Sequence, residues 1–111
     1  MQLTVLERIL LLNILPDKGD VASLRIIRDL QSALGFDEEE SARIDLRNAE
    51  RGVEWDDREG IVRDIPIGPR ATVLITDALV ALEKKKQLSM QQLDLYDRFV
   101  PAEEPRLRAV E

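Results

Sequence analysis

The chain has neither cysteine nor histidine. The first absence excludes disulfides, thiolate metal sites and cysteine nucleophiles. The second removes the commonest metal ligand and the side chain best suited to proton transfer near neutral pH. Aromatic residues are only 4% of the 111 positions. A core must therefore be assembled from Leu, Ile, Val and Ala, which favours helices over aromatic-rich strands. Long apolar runs are also missing. Near the N-terminus the longest is Ile9 to Leu12, preceded by Glu7 and Arg8 and followed by Asn13 and Pro16. That run is too short for a membrane span and lacks the layout of a signal peptide, so a cytoplasmic protein is expected.

What remains is a chain of ordinary hydrophobic content, 44%, and high charge, 34%, against a usual charged fraction of about 25%. Its length suits one domain with a real core. The net charge of −6 is unevenly placed. Acids and bases cancel from Met1 to Phe36, whereas Asp37 to Pro66 holds eleven acids against five bases. Ile67 to Val100 is slightly basic. An acidic field repels phosphate backbones, so direct nucleic-acid binding is disfavoured. The acidic segment 37–66 either is a solvated face or attracts a basic partner surface.

Hydrophobic spacing and punctuation divide the chain. Thr4 to Ile14 is predicted as a helix, with Leu3, Leu6, Leu10 and Ile14 at helical spacing. Thr4, Glu7 and Arg8 mark its solvent side, which Leu11 continues as an apolar residue. Pro16 to Gly19 is a turn, Asp20 an N-cap, and Val21 to Leu34 a second helix. The core face of that helix is Leu24, Ile27, Leu30 and Leu34, and Gly35 is placed for a left-handed C-terminal cap. Asp37 and Glu40 form a capping-box-like pair at a short third helix, where the dipole favours the acids 37–40.

Between Ile44 and Ile67 the periodicity changes to short alternating stretches around 45–47, 53–55 and 61–67. They predict a two- or three-stranded antiparallel unit, with Trp55 lying across the helices as its anchor. Gly68-Pro69 opens a long helix over 69–86, ended by Lys84, Lys85 and Lys86. Ser89 and Gln92 box the start of a last helix through Phe99, which folds back on the long one through Leu93, Tyr96 and Phe99. Residues 1–100 are thus expected to form a single α+β, mainly helical domain. N-terminal helices come first, then the β unit, then a C-terminal helical hairpin. Residues 101–111 are expected to be a flexible tail.

Motifs for chemistry are scarce. Asp56, Asp57, Glu59 and Asp64 form the densest set of oxygen ligands. Aligning Gly60 with the glycine of a calcium loop puts Trp55 and Pro66 at ligand positions, so the match fails. No phosphate loop is present, and Ser23, Ser32, Ser41 and Ser89 lack a nucleophile-elbow context. The lysine run at 84–86, with Arg70, suits a solubilising helix end better than a phosphate site. No catalytic, cofactor-binding or metal-binding residue is assigned.

Three helices, a β unit and a further helix also fit a winged-helix layout. The helix that would enter the DNA groove, however, begins Asp37-Glu38-Glu39-Glu40. Leu10-Leu11-Leu12-Asn13-Ile14-Leu15-Pro16, Leu24 to Leu30, Gly35 to Glu40 and Ile67 to Thr72 together resemble short phage- and prophage-encoded proteins. That resemblance implies an intracellular accessory or structural role and supplies no functional residues. The expected function is therefore non-enzymatic binding of a protein partner or self-assembly, with a winged-helix-like regulator as the alternative. Leu11, Tyr96 and Phe99 are the candidate partner surface, and no cofactor is expected.

Overall fold

Helices start in this chain where a short polar side chain takes up an otherwise unpaired backbone N–H. A computed structural model describes residues 1–56 and 60–101. The order is β1 (Gln2–Thr4), α1 (Val5–Ile14), α2 (Val21–Leu34), α3 (Glu38–Arg43), β2 (Arg47–Ala49), β3 (Gly52–Glu54), β4 (Val62–Asp64), α4 (Pro69–Lys84) and α5 (Met90–Phe99). Thr4 and Ser89 cap α1 and α5 in complete capping boxes with Glu7 and Gln92. Asp20 and Asp37 cap α2 and α3 by accepting from the N–H groups of Ser23 and Glu40. Gly68 precedes Pro69 at the start of α4 and offers no side chain to cap it.

Two helices close through a left-handed residue, and neither residue is glycine. Asp45 (φ 50°) follows α3 and Lys86 (φ 57°) follows α4. In each case the N–H of the left-handed residue and that of the residue after it turn back on the last-turn carbonyls, as Lys86 to Glu83 and Gln87 to Leu82 illustrate. Gly35, expected in that conformation, is extended instead (φ −65°, ψ 172°). Its glycine identity has another cause: a Cβ there would stand 3.0 Å from the Gln31 carbonyl oxygen.

The strands form two separate antiparallel pairs. β2 and β3 make a local hairpin, with Arg47 opposite Glu54. β4 turns away from that hairpin and pairs with β1, in the register Gln2–Asp64, Leu3–Arg63, Thr4–Val62. The spacing counts Leu3 in the apolar stripe of the first helix and groups 61–67 with the other alternating stretches, whereas Leu3 lies on β1 and 62–64 pair with it. The Thr4–Glu7 box fixes the helix start after Leu3, which leaves three extended residues whose backbone groups need a partner strand.

The core lies between α1, α2, α4, α5 and the β1–β4 pair. It joins Leu3, Leu11, Leu30, Leu34, Ile65, Ala71, Ile75, Leu79, Leu95 and Phe99. Each buried Leu, Ile or Phe contributes about 1.5–3 kcal/mol of transfer free energy. The buried stripe of α2 (Ile27, Leu30, Leu34) follows the predicted helical spacing, and that of α4 is Ala71, Ile75 and Leu79. Leu24 lies at the margin of its stripe and is exposed. On α5 the inward residues are Leu95 and Phe99, and Leu93 is exposed. Trp55, expected to anchor the β unit across the helices, is half-buried and outside the main cluster. The C-terminal helices lock to the N-terminus: Arg98 donates to Glu7 at 2.7 Å and to the Gln2 carbonyl at 3.0 Å. The expected tail lies outside the described residues beyond Pro101, as do Asp57 and Glu59 of the acidic turn.

Candidate protein-binding surface

Among the described residues the buried charged pair is Arg8 and Glu40, and it belongs to the frame. The inward face of α1 is Val5, Arg8 and Leu11. Arg8, expected on the solvent side, is fully buried, and its three nitrogens all donate to acceptors inside the fold. Its Nη1 and Nη2 donate to the two Glu40 oxygens at 3.0 and 3.1 Å. Its Nε donates to the Leu34 carbonyl at 3.1 Å, and Nη2 also donates to the Gly35 carbonyl. The guanidinium lies 4.0 Å from the centre of the Phe36 ring, a favourable cation–π placement.

Two unpaired carbonyls at the negative end of α2 thus receive a cation, and the same cation binds α3 through a two-pronged carboxylate pair. Arg63 of β4 adds a third bond to Glu40 at 2.7 Å. The hydrogen bonds from Arg8 hold the Glu40 carboxyl below its ordinary value, against desolvation that pushes the other way, with Arg63 assisting. A carboxylate held ionised between two guanidiniums is neither a nucleophile nor a base in waiting. It fastens α1, the α2–α3 corner and β4 together. The Glu40 side chain therefore does not close the capping box with Asp37 that its spacing suggested, although its N–H is bonded by the Asp37 carboxylate at 2.8 Å.

The surface feature of most functional interest lies along α4. Its buried stripe faces the core, and the opposite face carries Arg70, Val73 and Asp77, all exposed, with Leu74 half-buried at its side. These are two turns of helix with an apolar middle and a charge at each end. Val73 is 56% exposed and Val21, at the start of α2, 63% exposed. Between α2 and α4 lie two adjoining hollows of about 370 and 310 Å³, which share Ile26 and Arg70. Ala33, Pro66 and Pro69 floor the first, and Ala22, Val73 and Leu74 the second. On the α5 side a third hollow of about 420 Å³ is bordered by Leu74, Ala78, Ala81 and Leu82, with Asn13, Asp77, Lys85 and Gln92 as polar edges. The exposed side of α4 is thus an apolar ridge flanked by hollows.

Asp20, at the edge of the second hollow, is held below the ordinary carboxylate value by the Ser23 N–H, which donates to it at 2.7 Å. The other large exposed apolar residues, Met1, Val21, Leu24, Val53, Val62, Met90 and Leu93, line none of these hollows. Single exposed apolar residues are ordinary, whereas a contiguous group is the feature that marks a contact surface.

The three residues proposed from the sequence as a partner surface do not form one. Leu11 is completely buried and Phe99 nearly so, both in the main cluster. Tyr96 is partly buried against that cluster. Leu11 and Arg8 do share a face, as the spacing said, but that face points inward because Glu40 and the end of α2 supply the acceptors. The sequence signal for the α2–α4 face was present but unread: Val73 interrupts the polar side of an otherwise well-segregated helix. Among the described residues no cluster of Asp or Glu is arranged to hold a metal ion, and no helix is long and apolar enough to cross a membrane. Comparison with known proteins returns no matching family model, no matching curated protein and no matching solved structure.

Proposed function

We propose that the chain is a small, non-enzymatic accessory protein that works in the cytoplasm by binding protein, another chain or its own copy, through the exposed side of α2 and α4. The observation that carries this reading is the ridge of α4 with its flanking hollows, where Val73 is more than half exposed beside half-buried Leu74 on a folded helical frame. Absence of histidine and cysteine, together with a buried carboxylate committed to two arginines, supports a binding role over a catalytic one. A nucleic-acid role has less support. The helix that would have to enter a groove is six residues long and exposes Glu38 and Glu39. An accessory role also agrees with the resemblance to phage-encoded proteins.

The test is affinity capture from host lysate with nuclease present, comparing the tagged chain with its Val73→Arg variant. Retention of a protein, or of untagged copies of the chain, that the variant loses is the expected result. Identical captures by the two baits would remove the α2–α4 face from consideration.

A further inference from the structure

We infer that the exposed ridge of α4 pairs with the same ridge of a second copy, in an antiparallel two-fold dimer centred between Val73 and Leu74. The inference rests on the protein-binding reading above and names the partner.

Three features single out a second copy. The first is charge order along the ridge. Arg70 and Asp77 stand seven residues apart on one helical face, about 10 Å along the axis, and the apolar pair Val73–Leu74 lies midway between them. When such a helix meets its own antiparallel copy about that midpoint, Arg70 falls opposite Asp77 at both ends and the apolar residues meet in the middle. A two-fold interface requires this self-complementarity. Among the described residues neither Arg70 nor Asp77 has an ion pair within the chain, so both charges are available to a partner.

The second feature is net charge. A chain of −6 resists meeting itself wherever its acids concentrate. The helix α4 is neutral, with Arg70 and Lys84 matching Asp77 and Glu83, and the facing helix α2 carries two arginines and one aspartate. The excess acid lies in segment 37–66, outside both helices. Self-association through α4 therefore brings together neutral helix faces outside the acidic segment.

The third feature is shape. A ridge with hollows on both flanks matches a copy of itself, because each ridge enters a hollow of the other in the manner of helix ridges packing into grooves. A basic or acidic foreign partner would match only one end of the ridge.

The experiment is sedimentation velocity of the full chain from micromolar to millimolar concentration, with circular dichroism confirming that each variant is folded. The wild type is expected to form a concentration-dependent dimer. Val73→Arg, which places two cations at the centre, is expected to weaken dimerisation by on the order of a hundredfold. Arg70→Asp and Asp77→Arg are each expected to weaken it by roughly tenfold, and the chain carrying both to recover most of that loss, because the pairs re-form with their signs exchanged. A wild type that stays monomeric to millimolar concentration would overturn the inference. So would a dimer indifferent to Val73→Arg, or charge reversals whose effects simply add. A monomeric chain that still captures a foreign protein, lost on Val73→Arg, would sink the dimer and leave the protein-binding reading standing.

Discussion

Two regions of this molecule reverse the usual placement of residue types. At the α1–α2–α3 junction a guanidinium and a carboxylate are buried, while on the α4 ridge a valine and its apolar neighbours face outward. Arg8 tolerates burial because its donors meet the Glu40 carboxylate and the carbonyls of Leu34 and Gly35. Val73 stays exposed because, among the described residues, no element crosses that side of α4. Residue type states what a side chain requires, and the neighbours decide whether the requirement is met inside or outside. The buried charges belong to the fold, whereas the exposed apolar group is the one the proposed association would use.

The contrast is most severely tested at Glu40. Replacement by alanine leaves Arg8 buried without its carboxylate, and the expected loss is about 3–5 kcal/mol, a large share of the roughly 5–15 kcal/mol of a typical domain. Urea denaturation measures it. If the junction is a matched pair and not a source of net stability, Arg8→Met combined with Glu40→Leu should recover most of that loss; additive loss would refute the pairing.

A smaller effect comes from pH. The Glu40 carboxyl is held below its ordinary value of 4.5 in the folded state. Its ionised form therefore contributes stability that is fully present above that value and is lost as pH falls through the lower folded value. Denaturation midpoints of the wild type should decline as acid is added in that window. Glu40→Gln, weaker at neutral pH, should show a shallower decline. Parallel curves would show that other carboxylates carry the acid sensitivity.

Lys86→Gly relieves the left-handed backbone just past α4 and should raise stability by about 0.5–1 kcal/mol, without altering association. A change in association would mean that the interface extends past the ridge to the helix end. The smallest effect on stability is expected at the ridge. Val73→Arg should change it by no more than about 0.5 kcal/mol, since the site is exposed and arginine is a good helix former. A thermal melt showing a large loss would place Val73 in the frame and erase the distinction between the two regions.

Much of the frame was legible in the sequence because its signals are local. Asp20, Ser89 and Gly68-Pro69 announce helix starts within a few residues, and the α2 and α4 stripes follow a regular period. The signals that failed depend on distant residues. Leu3 reads as the first step of a helical stripe until β4 is known to need a partner. Arg8 reads as a solvent marker until Glu40, far along the chain, is brought beside it. Gly35 fits the rule for left-handed caps, yet it is small because the Gln31 carbonyl is close, and the left-handed positions went to Asp45 and Lys86. The candidate surface was misplaced for the same reason: Leu11 looked exposed because it shares a face with a charged residue whose partner was invisible locally.

The pairing of β1 with β4 joins the first residues of the chain to a segment beyond the β2–β3 hairpin, with Gln2 opposite Asp64. Closing so long a loop costs entropy before any contact rewards it, whereas the helices and the hairpin need only neighbours in sequence. The seam is therefore expected to zip up after the folding barrier, as the last step of assembly. Truncating Leu3, fully buried at that seam, should hasten unfolding and leave the refolding rate nearly untouched. Stopped-flow mixing would reveal the opposite pattern if the seam were part of the nucleus. The durability of the folded chain would then be set by how tightly its first strand is held, more than by how quickly its helices form.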